Sequence, residues 1–379
     1  MRVFISWAES QLKMHDIKTG CERNKFNCSF AFAIFSSIAH DAKLFYNLRM
    51  DFTDFTASQD DAGRRLDRII KTVSNGRIPD AHSAIRKNLI RLNGKKTSAD
   101  TKVSCGDKIT VASFLLKAPQ QNTRQQTPLQ KNNAGCPAVN TIFKNEHLQI
   151  VYKDAGINVQ PGSGGGTSLA EAFLKEYEAS GVQKSLSFKP GPLHRLDRGT
   201  SGMIAFPVSS EGARWFSEGI KTHLIKKIYI GIVEGQIARS ELWTDYIECD
   251  ETTNGKAFHT VTAASEKKGS TSKEAVTSVI PLAYGTAGNT KVTLVQFNIQ
   301  TGRKHQIRAQ SSLHGHPLYG DSAYKSRTNG RFFLHAAALV FPKDNPLGLP
   351  QIIKADPPAE FNDFMHSALI NWDGQLIIQ

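Results

Sequence analysis

Residues 117–138, KAPQQNTRQQTPLQKNNAGCPA, divide this chain. They are rich in Gln, Asn and Pro, hold no acidic residue and offer too few apolar side chains to build a core. Folded structure must therefore form separately before and after them. We expect a flexible linker over 113–139 between two domains, which also suits a chain of 379 residues.

The segment before the linker carries most of the charge. The chain has a net charge of +13, and residues 63–111 hold 12 Lys and Arg against 4 Asp, so 8 of the 13 net positive charges sit in 49 residues. A protein this basic usually meets a polyanion, most often nucleic acid. A solvated basic surface is the bland alternative. Leu66, Ile69, Ile70 and Val73 recur at helical spacing. Ala84, Ile85, Leu89 and Ile90 suggest a second short helix. Asn93-Gly94 signals a tight hairpin turn, and CGDKITV reads as a turn and a strand.

Other features narrow the class. Cys21, Cys28, Cys105, Cys136 and Cys249 are scattered and form no CxxC pair, as in a reduced, cytoplasmic protein with no zinc site. No segment reaches the ~18 consecutive apolar residues of a membrane helix. Residues 1–49 show no periodicity or motif, and Met50 precedes the first well-patterned region. They are expected to be a poorly ordered extension, or to lie before the true start.

After the linker the pattern is mixed. Strands are expected over 149–152, 202–208, 228–233 and 291–299, and helices over 169–177 and 211–222. The runs do not alternate as βαβ units, so a largely antiparallel or mixed sheet with packed helices is expected. The run GSGGG (162–166) lacks the Gly-Lys-Ser/Thr ending of a phosphate cradle and reads as a surface loop.

Three stretches can carry chemistry. In HRLDRGTSG (194–202), a serine nucleophile would need Gly-x-Ser-x-Gly, and Met203 stands where the second glycine should be. Ser201 therefore reads as a turn residue. Asp197, with Arg195 and Arg198 beside it, leaves two readings open. It is an ionised carboxylate able to act as nucleophile or base, or a cap on the turn that opens the next strand. In KKIYIGIVEG (226–235), alternation puts Tyr229, Gly231 and Val233 on one face and Ile228, Ile230 and Ile232 on the other. Tyr229 is a core residue or a ring that stacks on a flipped base. In TGRKHQIRAQSSLHGHPLYGD (301–321), a helix starting near Lys304 or His305 puts His305 and Arg308 on one face. Arg308 there could grip a buried carboxylate with bidentate geometry. HGHP lacks the partners of a metal site.

HRLDRGTSG, KKIYIGIVEG, TGRKHQIR, HGHPLYGD and LHAAALVF occur in this order, and over residues ~140–345 they resemble the RluA-type RNA pseudouridine synthases. RLDRII, the second helix, RLNGK and CGDKITV resemble the S-four-like RNA-binding domain that precedes the catalytic domain in many members. The resemblance implies that Asp197 is the essential aspartate and that Tyr229 stacks on the target base and is placed for proton transfer. It implies that Arg308 pairs with the aspartate, that Arg195 displaces the nucleotide, and that no cofactor or metal is needed. Tyr229 and apolar neighbours such as Ile230 would enclose the base. Arg198, Arg303, Lys304 and His305, with Arg64, Arg65, Arg86, Lys87, Arg91 and Lys95, are expected to contact RNA. One departure is KDAG (153–156), where members usually carry Lys-Pro-x-Gly.

The expected fold class is thus α+β. A mixed, largely antiparallel sheet with packed helices forms the catalytic domain over 140–379, and a small basic α/β RNA-binding domain spans 63–112. The expected protein is a cytoplasmic monomer acting on RNA, with large-subunit ribosomal RNA ahead of transfer RNA as substrate. A catalytically idle RNA-binding or ribosome-assembly factor is the rival reading.

Overall fold

The structure, a computed structural model, describes residues 51–116, 137–162, 167–180, 185–249, 261–266 and 271–378. The extension expected over 1–49, most of the expected linker and residues 163–166 of the glycine run lie outside these residues.

The first unit is built from β1 (Phe52–Thr56), α1 (Leu66–Val73), α2 (Ala81–Arg86), β2 (Ile90–Leu92) and β3 (Lys108–Ala112). Leu66, Ile69 and Ile70 are the buried stripe of α1, while Arg68 and Lys71 face solvent. The Asp80 side chain caps α2 by accepting from the Ser83 N–H at 2.9 Å. The second helix does not run on to Ile90 as expected. It stops at Arg86, because Asn88 takes the left-handed conformation and Ile90 opens β2. Asn93 and Gly94 both have positive φ, as a two-residue hairpin turn requires. The sheet runs β1-β3-β2, so strand 52–56 joins this unit from ahead of residue 63. FTDFT has no strict alternation, which is why its pattern hides the strand.

The second unit holds β4 (Asn140–Lys144), β5 (Leu148–Lys153), α3 (Leu169–Ala179), β6 (Ser201–Pro207), α4 (Ser210–Lys221), β7 (Lys226–Glu234), β8 (Glu241–Cys249), β9 (Val261–Ala264), β10 (Lys273–Ala287), β11 (Thr290–Ile299), α5 (Gln306–Leu313), β12 (Leu334–Val340), β13 (Ile352–Lys354) and α6 (Ala359–Ser367). Ten strands form one sheet in the order β4-β5-β6-β12-β7-β11-β10-β8-β9, with β13 paired to β12. Among the described strands only β6 and β12 run parallel. The α+β, largely antiparallel architecture read from the sequence is therefore the architecture found. The central strands are buried on both faces. Val151, Phe206, Val233, Val295 and Phe297 pack with Phe173 of α3 on one side. Ile230, Ile232 and Leu294 pack with Phe361 and Met365 of α6 on the other. Each fully buried side chain of this size contributes about 1.5–3 kcal/mol.

The two units touch. Asp61, 0% exposed, accepts from Ser185 Oγ (2.7 Å), Leu186 N (3.0 Å), Ser187 N (2.9 Å) and Ser187 Oγ (2.5 Å). Asp60 accepts from the Ser210 N–H and hydroxyl, both at 2.9 Å, at the start of α4. Leu186 packs onto the core of the first unit. Burial works against the charge of Asp61, but the hydrogen bonds from Ser187, Leu186, Ser58 and Ser185 outweigh it and hold its carboxyl below the ordinary value.

Asp61→Ala should cost at least about 2 kcal/mol and let the units separate, seen as a larger radius of gyration in solution scattering. An unchanged radius would refute the docking. Because its folded value is depressed, the contribution of Asp61 is complete above the ordinary carboxylate value near 3.8 and fades as pH falls through the lower, folded value. Acid should therefore separate the wild-type units and leave Asp61→Ala unaffected.

Candidate active site

The loop bearing Asp197 is held from below. Lys153, at the end of β5, is buried and donates from Nζ to the carbonyls of Asp154 (3.0 Å), Ile157 (2.8 Å) and Arg198 (3.2 Å). Burial drives its amine down to about 7. The Gly156 N–H donates to the same Arg198 carbonyl at 2.7 Å, and Arg198 Nε returns a bond to the Gly156 carbonyl at 2.9 Å. KDAG therefore clasps the loop with its Lys and Gly although Asp154 replaces the usual proline. The turn is closed by backbone, with Thr200 N–H to the Asp197 carbonyl at 3.1 Å. That leaves the Asp197 carboxylate to face across the cleft rather than cap the turn. Gly202 has φ +115°, and a Cβ there would meet the backbone oxygen of Ala336 at 2.4 Å, so β6 can lie against β12 only with glycine at this position. Ser201 is 2% exposed and bonded to His335 Nδ1 at 2.9 Å, while His335 Nε2 donates to the Ala355 carbonyl at 3.0 Å. This serine is structural.

The opposite wall is α5. Gln306 and Gln310, one turn apart, fasten it to the sheet. Gln306 Nε2 donates to Thr277 Oγ1 (2.9 Å), and Gln310 Nε2 donates to Asp245 (2.7 Å) and the Ala275 carbonyl (3.1 Å). The other side of the helix carries Arg308 toward the cleft. Its Nε and one terminal nitrogen bond the two oxygens of Asp321 at 2.7 and 2.8 Å. Its guanidinium carbon lies 4.6 Å from the Tyr324 ring centre and 4.5 Å from that of Phe332. The remaining nitrogen is 3.5 Å from Asp197 Oδ2. Burial opposes the charge of Arg308, yet Asp321 and Asp197 raise its value above the ordinary one.

His305 precedes the helix with φ 53°, a strained conformation for a non-glycine residue. Its Nδ1 is 2.8 Å from the Tyr324 hydroxyl, and its Nε2 is 3.7 Å from Asp197 Oδ1. Burial, aided by Arg308 and Lys304, holds His305 below its ordinary value against the pull of Asp197.

Between these walls lies a cleft of about 650 Å³, lined by Asp197, Tyr229, His305 and Arg308 with Leu196, Ile299, Ile307 and Leu334. Tyr229 is 6% exposed on β7 between Phe297 of β11 and Ala336 of β12. Burial, then the negative charge of Asp197, pushes its phenol well above the ordinary value, so it stays protonated. Ile230 does not help enclose the cleft as expected. Strand alternation points it to the opposite face, against α6.

The remaining expected RNA contacts divide. Exposed Arg195 and Arg303 and half-buried Lys304 rim the cleft. Arg86, Lys87 and Lys95 are exposed on the first unit. Arg65 is forked to Asp67 (3.2 and 2.8 Å), Arg91 lies over Phe52 at 4.8 Å, and Arg64 donates to the Ser187 carbonyl at 3.2 Å across the domain contact. Those three have structural partners that the charge pattern could not reveal. His314 and His316 are spoken for separately, by Asp245 (3.0 Å) and the Glu234 carbonyl (2.9 Å). Asp321, the last residue of HGHPLYGD, has no role that its sequence surroundings assign. Its signal was the unassigned carboxylate that a bidentate Arg308 requires.

A carboxylate flanked by an arginine and a histidine faces a protonated tyrosine across a cleft with a basic rim. Such a cleft suits an enzyme that handles one nucleotide of a polyanion. Residues 147–313 match the model of the RNA pseudouridylate synthase family, and most of the chain is similar to pseudouridine synthases. Ribosomal large subunit pseudouridine synthase C of Escherichia coli (strain K12) is 26% identical over 318 residues, covering 79% of this chain and 91% of that protein. The protein of the same name from Haemophilus influenzae (strain ATCC 51907 / DSM 11121 / KW20 / Rd) is 26% identical over 306 residues, covering 76% and 86%. Among solved structures, Human RNA Pseudouridylate Synthase Domain Containing 4 is 18% identical with a TM-score of 0.49, covering 61% of this chain and 94% of its own.

Asp321→Asn keeps the shape but loses one of the two acceptors that aim Arg308. Pseudouridine formation should fall about 10²-fold, with RNA affinity within a few-fold in a filter-binding assay. Full activity in this variant would show that Asp321 does not set the arginine.

Proposed function

We propose that this protein is an RNA pseudouridine synthase, an isomerase that converts specific uridines of large-subunit ribosomal RNA to pseudouridine, with Asp197 as the catalytic carboxylate. The carrying observation is the placement of Asp197, 3.5 Å from Arg308 and 3.7 Å from His305, in the cleft that also holds Tyr229. The target uridine leaves its helix and stacks on Tyr229, a cost of a few kcal/mol offset by backbone contacts from Arg195, Arg303 and Lys304. Asp197 attacks the sugar or takes its 2′ proton as the carbon–nitrogen bond breaks. The detached uracil turns and rejoins through carbon 5. The apolar lining limits water, which would otherwise divert the reaction to hydrolysis. The isomerisation consumes no outside group or electron, so a cofactor has no step to perform.

The ribosomal target is supported by the names of the two bacterial relatives. Residues 52–112 serve as an S-four-like RNA-binding domain ahead of the catalytic domain. The protein acts as a monomer in the cytoplasm. Among the described residues no helix is long and apolar enough to cross a membrane.

Asp197→Asn should abolish pseudouridine formation on large-subunit ribosomal RNA while leaving affinity within a few-fold. Persisting activity would remove Asp197 from the chemistry. For the first domain, neutralising Arg86, Lys87 and Lys95 to Gln should lower the slope of log affinity against log salt by about 2. An unchanged slope would place the RNA elsewhere.

A further inference from the structure

Strand β7 presents two polar side chains to the cleft from one face, Tyr229 and, two residues earlier, Lys227. Lys227 is 8% exposed, and among the described residues no hydrogen bond or ion pair engages its amine. Gly302, in the turn after β11, leaves the amine room, since a Cβ there would stand 3.4 Å from Nζ. His194 lies beside it in the same wall. The Ala205 N–H donates to His194 Nε2 at 3.1 Å, so the neutral ring carries its proton on Nδ1, and Nδ1 is buried with no partner. Burial, then the charge of Lys227, drives this histidine down to about 3, which keeps it neutral.

Lys227 thus stands in the cleft wall with no acceptor, beside a histidine kept neutral. A buried, unpaired ammonium is costly to the fold, so the acceptor arrives with the substrate. The phosphates of RNA are met at the rim by exposed Arg195 and Arg303. Lys227 lies deeper, on the face of the tyrosine that receives the base. When the glycosidic bond breaks, its electron pair leaves with N1, and the uracil carries a full negative charge shared with O2 and O4. The sugar's deficit is met by the Asp197 carboxylate or by loss of its 2′ proton to it. Uracil then supplies the pair for the new bond between carbon 5 and the sugar, as the bond from Asp197 to the sugar breaks or as Asp197 returns the proton to carbon 2′; the proton on carbon 5 is released and N1 takes one up. The balance closes with no other reactant, but the anion needs a cation while it turns.

We infer that Lys227 Nζ is the cationic donor to a carbonyl oxygen of the detached uracil. This rests on the reading of the cleft as a uridine site. In the full-length enzyme, Lys227→Met should keep or raise the melting temperature, because it removes an unpaired buried charge. It should keep affinity for large-subunit ribosomal RNA from cells lacking the protein within a few-fold. Its single-turnover rate of pseudouridine formation should fall about 10²–10³-fold, and Lys227→Arg should recover part of it. Fluorine at carbon 5 makes uracil a better leaving group, so in 5-fluorouridine-substituted RNA the deficit in glycosidic cleavage should shrink by about tenfold. Wild-type turnover in Lys227→Met, or equal deficits on both RNAs, would overturn the assignment. So would a lower melting temperature with matching loss of RNA binding, which would make the lysine structural. A wild-type enzyme that forms no pseudouridine from this RNA would overturn the uridine reading along with it.

Discussion

The fork between Arg308 and Asp321 is the interaction on which the site depends. Two parallel hydrogen bonds at 2.7 and 2.8 Å, with the Tyr324 and Phe332 rings packed against the guanidinium, hold it in one orientation. Its third nitrogen then reaches Asp197 at 3.5 Å, beyond good hydrogen-bond length. The difference in length has a chemical meaning. A carboxylate gripped by both arms of an arginine has its lone pairs occupied and makes a poor nucleophile or base. Asp321 takes that grip, so Asp197 feels the positive charge and keeps its oxygens available.

Such an arrangement works only if both walls of the cleft are fixed, and they come from distant parts of the chain. On one wall Lys153 spends its hydrogen bonds on three carbonyls, one of them Arg198, the neighbour of Asp197. On the other wall Gln306 and Gln310 tie α5 to β8 and β10. The central strands join the two. β7 lies between β12 and β11, so the tyrosine is held from both sides by ladder hydrogen bonds. Each wall satisfies buried backbone groups with a long polar side chain, which costs less than leaving them unpaired.

Much of this was legible in the sequence because it is local. The Asn93-Gly94 pair declared its turn, and the missing second glycine ruled out Ser201 as a nucleophile, whereas Ile230 was expected in the cleft although strand alternation already set it on the face opposite Tyr229. The ordered motifs supplied Asp197, Tyr229 and Arg308. What stayed hidden was set by partners far away in the chain. Ile90 leaves the second helix because it pairs with Val111 in a strand. FTDFT becomes a strand only because β3 offers an edge. Arg64, Arg65 and Arg91 look like RNA contacts by charge alone, yet a carbonyl, an aspartate and a phenylalanine ring engage them. The lack of a partner at Lys227 is likewise a fact of three dimensions.

The domain contact bears on how an RNA enzyme in two parts, as proposed, would gain affinity. A free tether raises the local concentration of the second module but still loses orientational entropy when both bind. Here Asp60 and Asp61 fix the first domain against α4 and residues 185–187, and Leu186 packs against its core. That entropy is lost on folding rather than on binding. The anchored segment ends seven residues before His194 and so leads directly into the loop that bears Asp197. RNA held on the exposed basic face of the first domain would therefore meet the cleft at a set distance. Under that constraint, choice among uridines becomes a matter of spacing along the RNA as well as of the bases around the target.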